Sequence, residues 1–161
     1  TTYASILDAL AWPADRFAAL AVEGLSYMKL RDQRVADACR HAEPATLHIG
    51  KAPASMEGGW GTDAETLNVL VVAAGADISQ VGNELCDQVF TAGGDDVPDC
   101  AAVLIVKLNS VSVSLRASAT STLKLGRIVR ALKGTMGGGG HDKAAGFSFR
   151  GTDIKAFLRP L

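Results

Sequence analysis

The chain has 161 residues, 48% hydrophobic and 20% charged, which excludes a disordered chain and fits one ordinary domain, or one domain with a helical extension. Its net charge of −1 hides a split: residues 1–100 carry 6 Lys+Arg against 15 Asp+Glu, and residues 101–161 carry 10 against 2. The basic last third suits an anionic partner, no apolar run reaches the ~18 residues of a membrane span, and the first residues lack the pattern of a signal peptide.

In chain order, Tyr3 to Leu10 reads as a short helix ending near Trp12-Pro13. From Ala14 to about His41, the apolar residues Phe17, Leu20, Ala21, Leu25, Met28, Val35 and Ala38 recur at three- and four-residue steps. That spacing predicts a long amphipathic helix, with Asp15, Arg16, Glu23, Lys29 and Arg31 on a solvated face. Pro44 stops it, and Thr46 to Ile49 reads as a short strand. Lys51 to Asp63, with Pro53 and three glycines, reads as a loop in which Trp60 is either a cap over the core, the favoured reading, or an exposed contact.

The remainder alternates. Leu67 to Ala74 is expected as a strand buried on both faces, Ile78 to Phe90 as a helix, and Thr91 to Asp99 as a loop. Ala101 to Leu108 reads as a second buried strand, and Asn109-Ser110 as a tight turn. Val111 to Arg116 alternates strictly, so Val113 and Leu115 face one way while Ser112, Ser114 and Arg116 face the other. A helix over Leu123 to Lys133 leads into a loop at Gly137 to Gly140. A strand over Ala145 to Arg150 and a short helix over Asp153 to Leu158, capped by Thr152 or Asp153, close the chain. The expected class is α/β (α+β), a small mixed β-sheet flanked by helices and preceded by a long helical connector.

Cys39, Cys86 and Cys100 are odd in number and far apart, so reduced, mostly buried thiols of a cytoplasmic protein are expected. His41, His48 and His141 are equally dispersed, and Cys39-x-His41 has no partner pair with which to hold a metal.

The informative segment is Gly137-Gly-Gly-Gly-His141-Asp-Lys-Ala-Ala-Gly146. Ordering four glycines is entropically expensive. Their bare backbone can form a nest of N–H groups for an anion, to which His141 and Lys143 add donors. A flexible turn with an incidental His is the competing reading. No Gly-Lys-Ser/Thr follows, so this is not a P-loop. The glycines lead from helix to strand, opposite to a dinucleotide-binding loop. Arg116, at the end of its strand, is either a surface Arg or a guanidinium placed to grip a phosphate or carboxylate.

Val113-Ser-Leu-Arg116, a helix, and then Gly137 to Phe147 (GGGGHDKAAGF) together resemble the C-terminal domain associated with DHH-family phosphoesterases, which include RecJ-like nucleases and oligoribonucleases. The resemblance extends more weakly upstream, through Val81-Gly82-Asn83 and the strand at Val69 to Val72, as far as Val22. It implies that Arg116 and His141 contact a phosphate or terminal nucleotide, with Ser114 beside them. It also implies that the backbone of Gly137, Gly138, Gly139 and Gly140 shapes that pocket. In the family an N-terminal domain holds two divalent metals, usually manganese, partly on an Asp-His-His motif. No Asp-His-His occurs in this sequence, and Ala117 stands where the family often has Ser, with Ser118 one place later.

The resemblance therefore implies a helical connector at 1–43 from a catalytic domain outside this chain, and a substrate-binding domain at 44–161. The expected partners are that DHH domain and a nucleotide, oligonucleotide or other phosphate ester. No catalytic residue, metal or other cofactor is expected in this chain itself, and no membrane partner. Self-association is left open. The competing expectation is a stand-alone nucleotide- or RNA-binding module without catalysis.

Overall fold

A computed structural model of the chain describes residues 13–50, 59, 64–92, 98–132 and 135–160. The expected helix before Pro13, most of the Lys51–Asp63 loop with Trp60, and much of the Thr91–Asp99 loop lie outside them. The chain divides into two compact units, residues 1–34 and 35–161.

Helix α1 spans Ala14–Cys39. The helix is as expected, but its apolar residues are not covered. Phe17, Leu20, Leu25 and Met28 are exposed. Only near its C-terminus, at Val35 and Cys39, does α1 enter a core. The 3.6-residue period reports which side chains share a face, not what covers that face.

The second unit is a mixed sheet built from β1 (Glu43–His48), β2 (Thr66–Ala73), β3 (Cys100–Val106), β4 (Ser110–Arg116), β5 (Gly137–His141), β6 (Ala144–Arg150) and β7 (Leu158–Pro160). The order across the sheet is β5-β6-β4-β3-β2-β1-β7. β2 and β3 run parallel, joined through helix α2 (Ile78–Ala92). The other neighbours are antiparallel. Pro44 lies inside β1, not before it, opposite Leu70. β7 pairs with β1 only from Ala45 onward, so the missing N–H of Pro44 costs no β7 bond.

Each sheet face buries its own cluster, as the unbroken apolar run in β2 requires. Leu67 and Val69 join β4 and β6 residues on one face, with helix α3 (Leu125–Ala131) and helix α4 (Ile154–Phe157). Val72, Ala101 and Val103 join α2 through Val81 and Leu85 on the other. On the first face Phe149 stacks on Phe157 of α4 with ring centroids 4.7 Å apart. Emptying either ring position would cost about 3–5 kcal/mol.

Two sequence expectations fail at the sheet margins. Leu108 is not part of a buried strand: β3 ends at Val106, and Leu108 is almost fully exposed in the turn to β4. The closing helix is shorter than expected. A 3₁₀ turn at Gly151–Asp153 precedes α4, Asp153 makes no side-chain cap bond there, and Leu158 already belongs to β7.

The largest correction concerns the glycines. Gly137 to Gly140 do not form a loop. They form β5, an edge strand paired residue for residue with β6 through a turn at Asp142-Lys143.

Candidate functional site

Strand register builds the site. Arg116 of β4 pairs with Ala144 of β6, which pairs with His141 of β5. Directly opposed residues on neighbouring strands point to the same face. Arg116 and His141 therefore share a face at a separation of about two strand spacings, roughly 10 Å between backbones. The next row holds Ser114, Gly146 and Gly139, and the third holds Ser112, Ser148 and Gly137. The hydroxyls of Ser112 and Ser148 hydrogen-bond at 2.9 Å. The alternation read from the sequence puts Ser114 and Arg116 on one face, and the pairing of β5 and β6, which it did not reveal, puts Gly137, Gly139 and His141 on that same face. α2 packs over β3 and β4 on this face, because Ala101 and Val103, the partners of Arg116 and Ser114, belong to the α2 cluster.

The four glycines separate into two pairs with different reasons. A Cβ on Gly138 would stand 2.6 Å from Val129 of α3 and 2.8 Å from Phe147. A Cβ on Gly140 would stand 2.5 Å from Ala145, and Gly140 has φ +139. These two point into the packed face: Gly138 is crowded by α3 and Phe147, and Gly140 by its positive φ and the backbone of β6. Gly137 and Gly139 point to the open face, where an added Cβ would meet nothing within 4 Å. Only this second pair leaves room for a ligand. Antiparallel pairing also takes up alternate backbone N–H groups, so the glycine run is not a free nest along its whole length.

Arg116 is held in place. Its Nη1 donates to the Ser114 hydroxyl at 3.0 Å and to the Leu115 carbonyl at 2.9 Å. Its Nη2 donates to the Ser79 hydroxyl at 3.3 Å. That leaves Nε and the second Nη2 hydrogen without a partner among the described residues. Ser79 lies in the first turn of α2, which contains no acidic residue. Two unengaged guanidinium hydrogens near a helix N-terminus favour an anion.

Arg116 opens onto a cleft of about 410 Å³, lined also by Asn83, Cys86, Asp87, Ser118, Lys143 and Ala144, so one carboxylate lies among the cationic and neutral groups. The Cys86 thiol donates to the Arg116 carbonyl at 3.0 Å, and burial raises its pKa. It therefore serves as a neutral donor and not as a thiolate. Lys143 donates through Nζ to the carbonyl of Ser121. The Ser118 hydroxyl, next to Ala117, accepts from the backbone N–H of Ser121 at 3.1 Å. Sequence reasoning did not single out Ser79, gave Cys86 only as a buried thiol, and took Gly82 and Asn83 only as part of the upstream resemblance, since α2 meets Arg116 only through the tertiary fold.

Among the described residues, no three His, Cys, Asp or Glu side chains come together as a metal site. His48 and His141 lie on β1 and β5, separated by four strands. Among the described residues, therefore, no ligand set for the family's manganese pair is assembled. Among those residues, too, no helix is long and apolar enough to cross a membrane.

The sheet thus places a strand-end Arg, an Ala-Ala-Gly strand and a glycine edge strand side by side. The chain belongs to the DHHA1 domain family, whose model matches residues 68–161. This is the C-terminal domain that accompanies the catalytic domain of DHH-family phosphoesterases. No curated protein matches the chain.

Proposed function

We propose that this chain binds the phosphate of a nucleotide, or of an oligonucleotide end, and presents it to a DHH catalytic domain. The carrying observation is the row Arg116–Ala144–His141, with Arg116 anchored and two of its hydrogens unengaged. The guanidinium supplies charge-assisted donors, and His141 supplies an imidazole at the far end of the row. The small residues between them leave the backbone of β5 and β6 accessible to a ribose or base. The excess of 10 Lys+Arg over 2 Asp+Glu in residues 101–161 raises the local concentration of anions.

Hydrolysis belongs to the DHH domain, which the family places N-terminal to this one. By the same resemblance, its manganese ions would activate the attacking water. The role of this chain is binding and orientation, which lower the entropic part of the barrier. The test is calorimetric titration of the 161-residue chain with adenosine 5′-monophosphate, alongside a phosphodiesterase assay with manganese. Saturable binding without turnover is expected. Turnover by this chain alone, or no binding, contradicts the proposal.

A further inference from the structure

Arg116 is a long, flexible side chain, and the strand fixes only its Cα and Cβ. What orients its guanidinium lies on α2. Ser79 and Gly82 are one turn apart on that helix, so they share a face. Ser79 accepts a hydrogen bond from Nη2 at 3.3 Å. Gly82 meets the stem: a Cβ there would stand 2.8 Å from Arg116 Cγ and 3.8 Å from Arg116 Cβ. Both contacts are to the root of the side chain, not to its mobile end. An alanine at 82 would therefore force Arg116 to rotate, and would carry the guanidinium away from Ser114 and Ser79. Gly82 is buried within a helix, where glycine is among the least favourable residues. Its neighbour Val103 stands 3.5 Å from the same Cβ position, which is ordinary contact. The tight approach is thus specific to Arg116.

We infer that Ser79 and Gly82 of α2 are positioning residues that set the direction of the Arg116 guanidinium. The inference rests on the phosphate-binding reading above and deepens it. Gly82 lets the arginine stem lie flat against the helix, while Ser79 fixes one nitrogen. Together with Ser114 and the Leu115 carbonyl, they spend three hydrogens and leave Nε and one Nη2 hydrogen in defined directions. Two donors held this way suit the paired oxygens of a phosphate monoester.

The experiment compares wild type, G82A, S79A and R116A in the 161-residue chain. The probe is adenosine 5′-monophosphate, and the readouts are affinity and the Arg116 Nε–Hε NMR resonance of the unliganded protein. For G82A, the affinity is expected to fall at least tenfold and the Arg116 resonance to move, with far-ultraviolet circular dichroism unchanged. For S79A, a smaller loss of a few-fold is expected, with the same resonance moving. A purely structural glycine would leave that resonance in place.

A folded G82A with wild-type affinity or an unmoved resonance overturns the inference. If G82A fails to fold, S79A decides in the same way, since its side chain is exposed. The R116A arm tests the underlying reading separately. Loss of affinity in R116A but not in G82A sinks the positioning role alone. Wild-type affinity in R116A sinks the phosphate site itself.

Discussion

Gly126, in the first turn of α3, lies against the carbonyl of Gly140 so closely that a Cβ would stand 2.5 Å from that oxygen. The same turn donates the Leu125 N–H to the Asp142 carbonyl at 3.1 Å. Arg130 returns from α3 to the Gly140 carbonyl at 3.3 Å. Helix α3 is therefore clamped to the backbone carbonyls of the β5–β6 hairpin, through its own backbone and the Arg130 side chain. Gly126→Ala gains helix propensity but must displace main-chain atoms. It should destabilise the chain by about 1–3 kcal/mol, as overpacked cores do. Urea denaturation monitored by circular dichroism checks this; an unchanged midpoint would contradict the clamp.

The glycine strand gives a sharper contrast. Gly140→Ala meets both a positive φ and contacts below 3.0 Å, so it should be strongly destabilising. Gly139→Ala meets nothing within 4 Å and has no positive φ. Its stability should lie within about 0.5 kcal/mol of wild type. Its affinity for a nucleotide should nevertheless fall, because the methyl group rises from the floor between Ser114 and the sheet edge. Thermal melts and calorimetric titrations of the two variants separate packing from binding.

Arg116→Ala removes the charged donors without opening the core. A hydrogen bond to a charged group contributes about 1.5–3 kcal/mol, so nucleotide affinity should fall roughly 10- to 150-fold. His141→Ala, on an exposed edge position, should lose less and keep the fold. Titration calorimetry checks both. Equal affinity for all three proteins would remove the row from the function.

How much of this was legible in the sequence depends on the range of the contacts. The alternation of Val111 to Arg116 gave β4 and its polar face, because a strand's period is local. The apolar run at Leu67 gave a strand covered on both sides. The glycine run was visibly unusual, but half its reason was not. Gly138 and Gly140 answer to Val129, Phe147 and Ala145, and no local pattern reveals that packing. Ser79 is 37 residues from Arg116, so no periodicity links them. The exposed apolar residues of α1 mark the limit of a period, which says what shares a face and not what covers it.

Burial raises the pKa of Cys39, Cys86 and Cys100 above the ordinary thiol value of 9.0, most strongly for Cys100. The folded chain therefore keeps thiol protons that the unfolded chain releases. Below pH ~8.5 both states hold them, and stability is insensitive to these groups. As pH rises through and beyond that value, the unfolded state is favoured and stability falls. The urea midpoint should drop between pH 8 and pH 10, and Cys100→Ala should flatten that slope. A thiol reagent at neutral pH should label Cys100 only on unfolding.

The most direct test is an NMR titration of the isotope-labelled chain with adenosine 5′-monophosphate at fixed, stated salt. The Arg116 Nε–Hε resonance and the amides of Gly139, His141 and Ala144 should shift together along one binding curve. A ligand that binds while these four stay still, with shifts gathered instead at the separate cleft beside Leu108 and Arg150, would contradict the phosphate row.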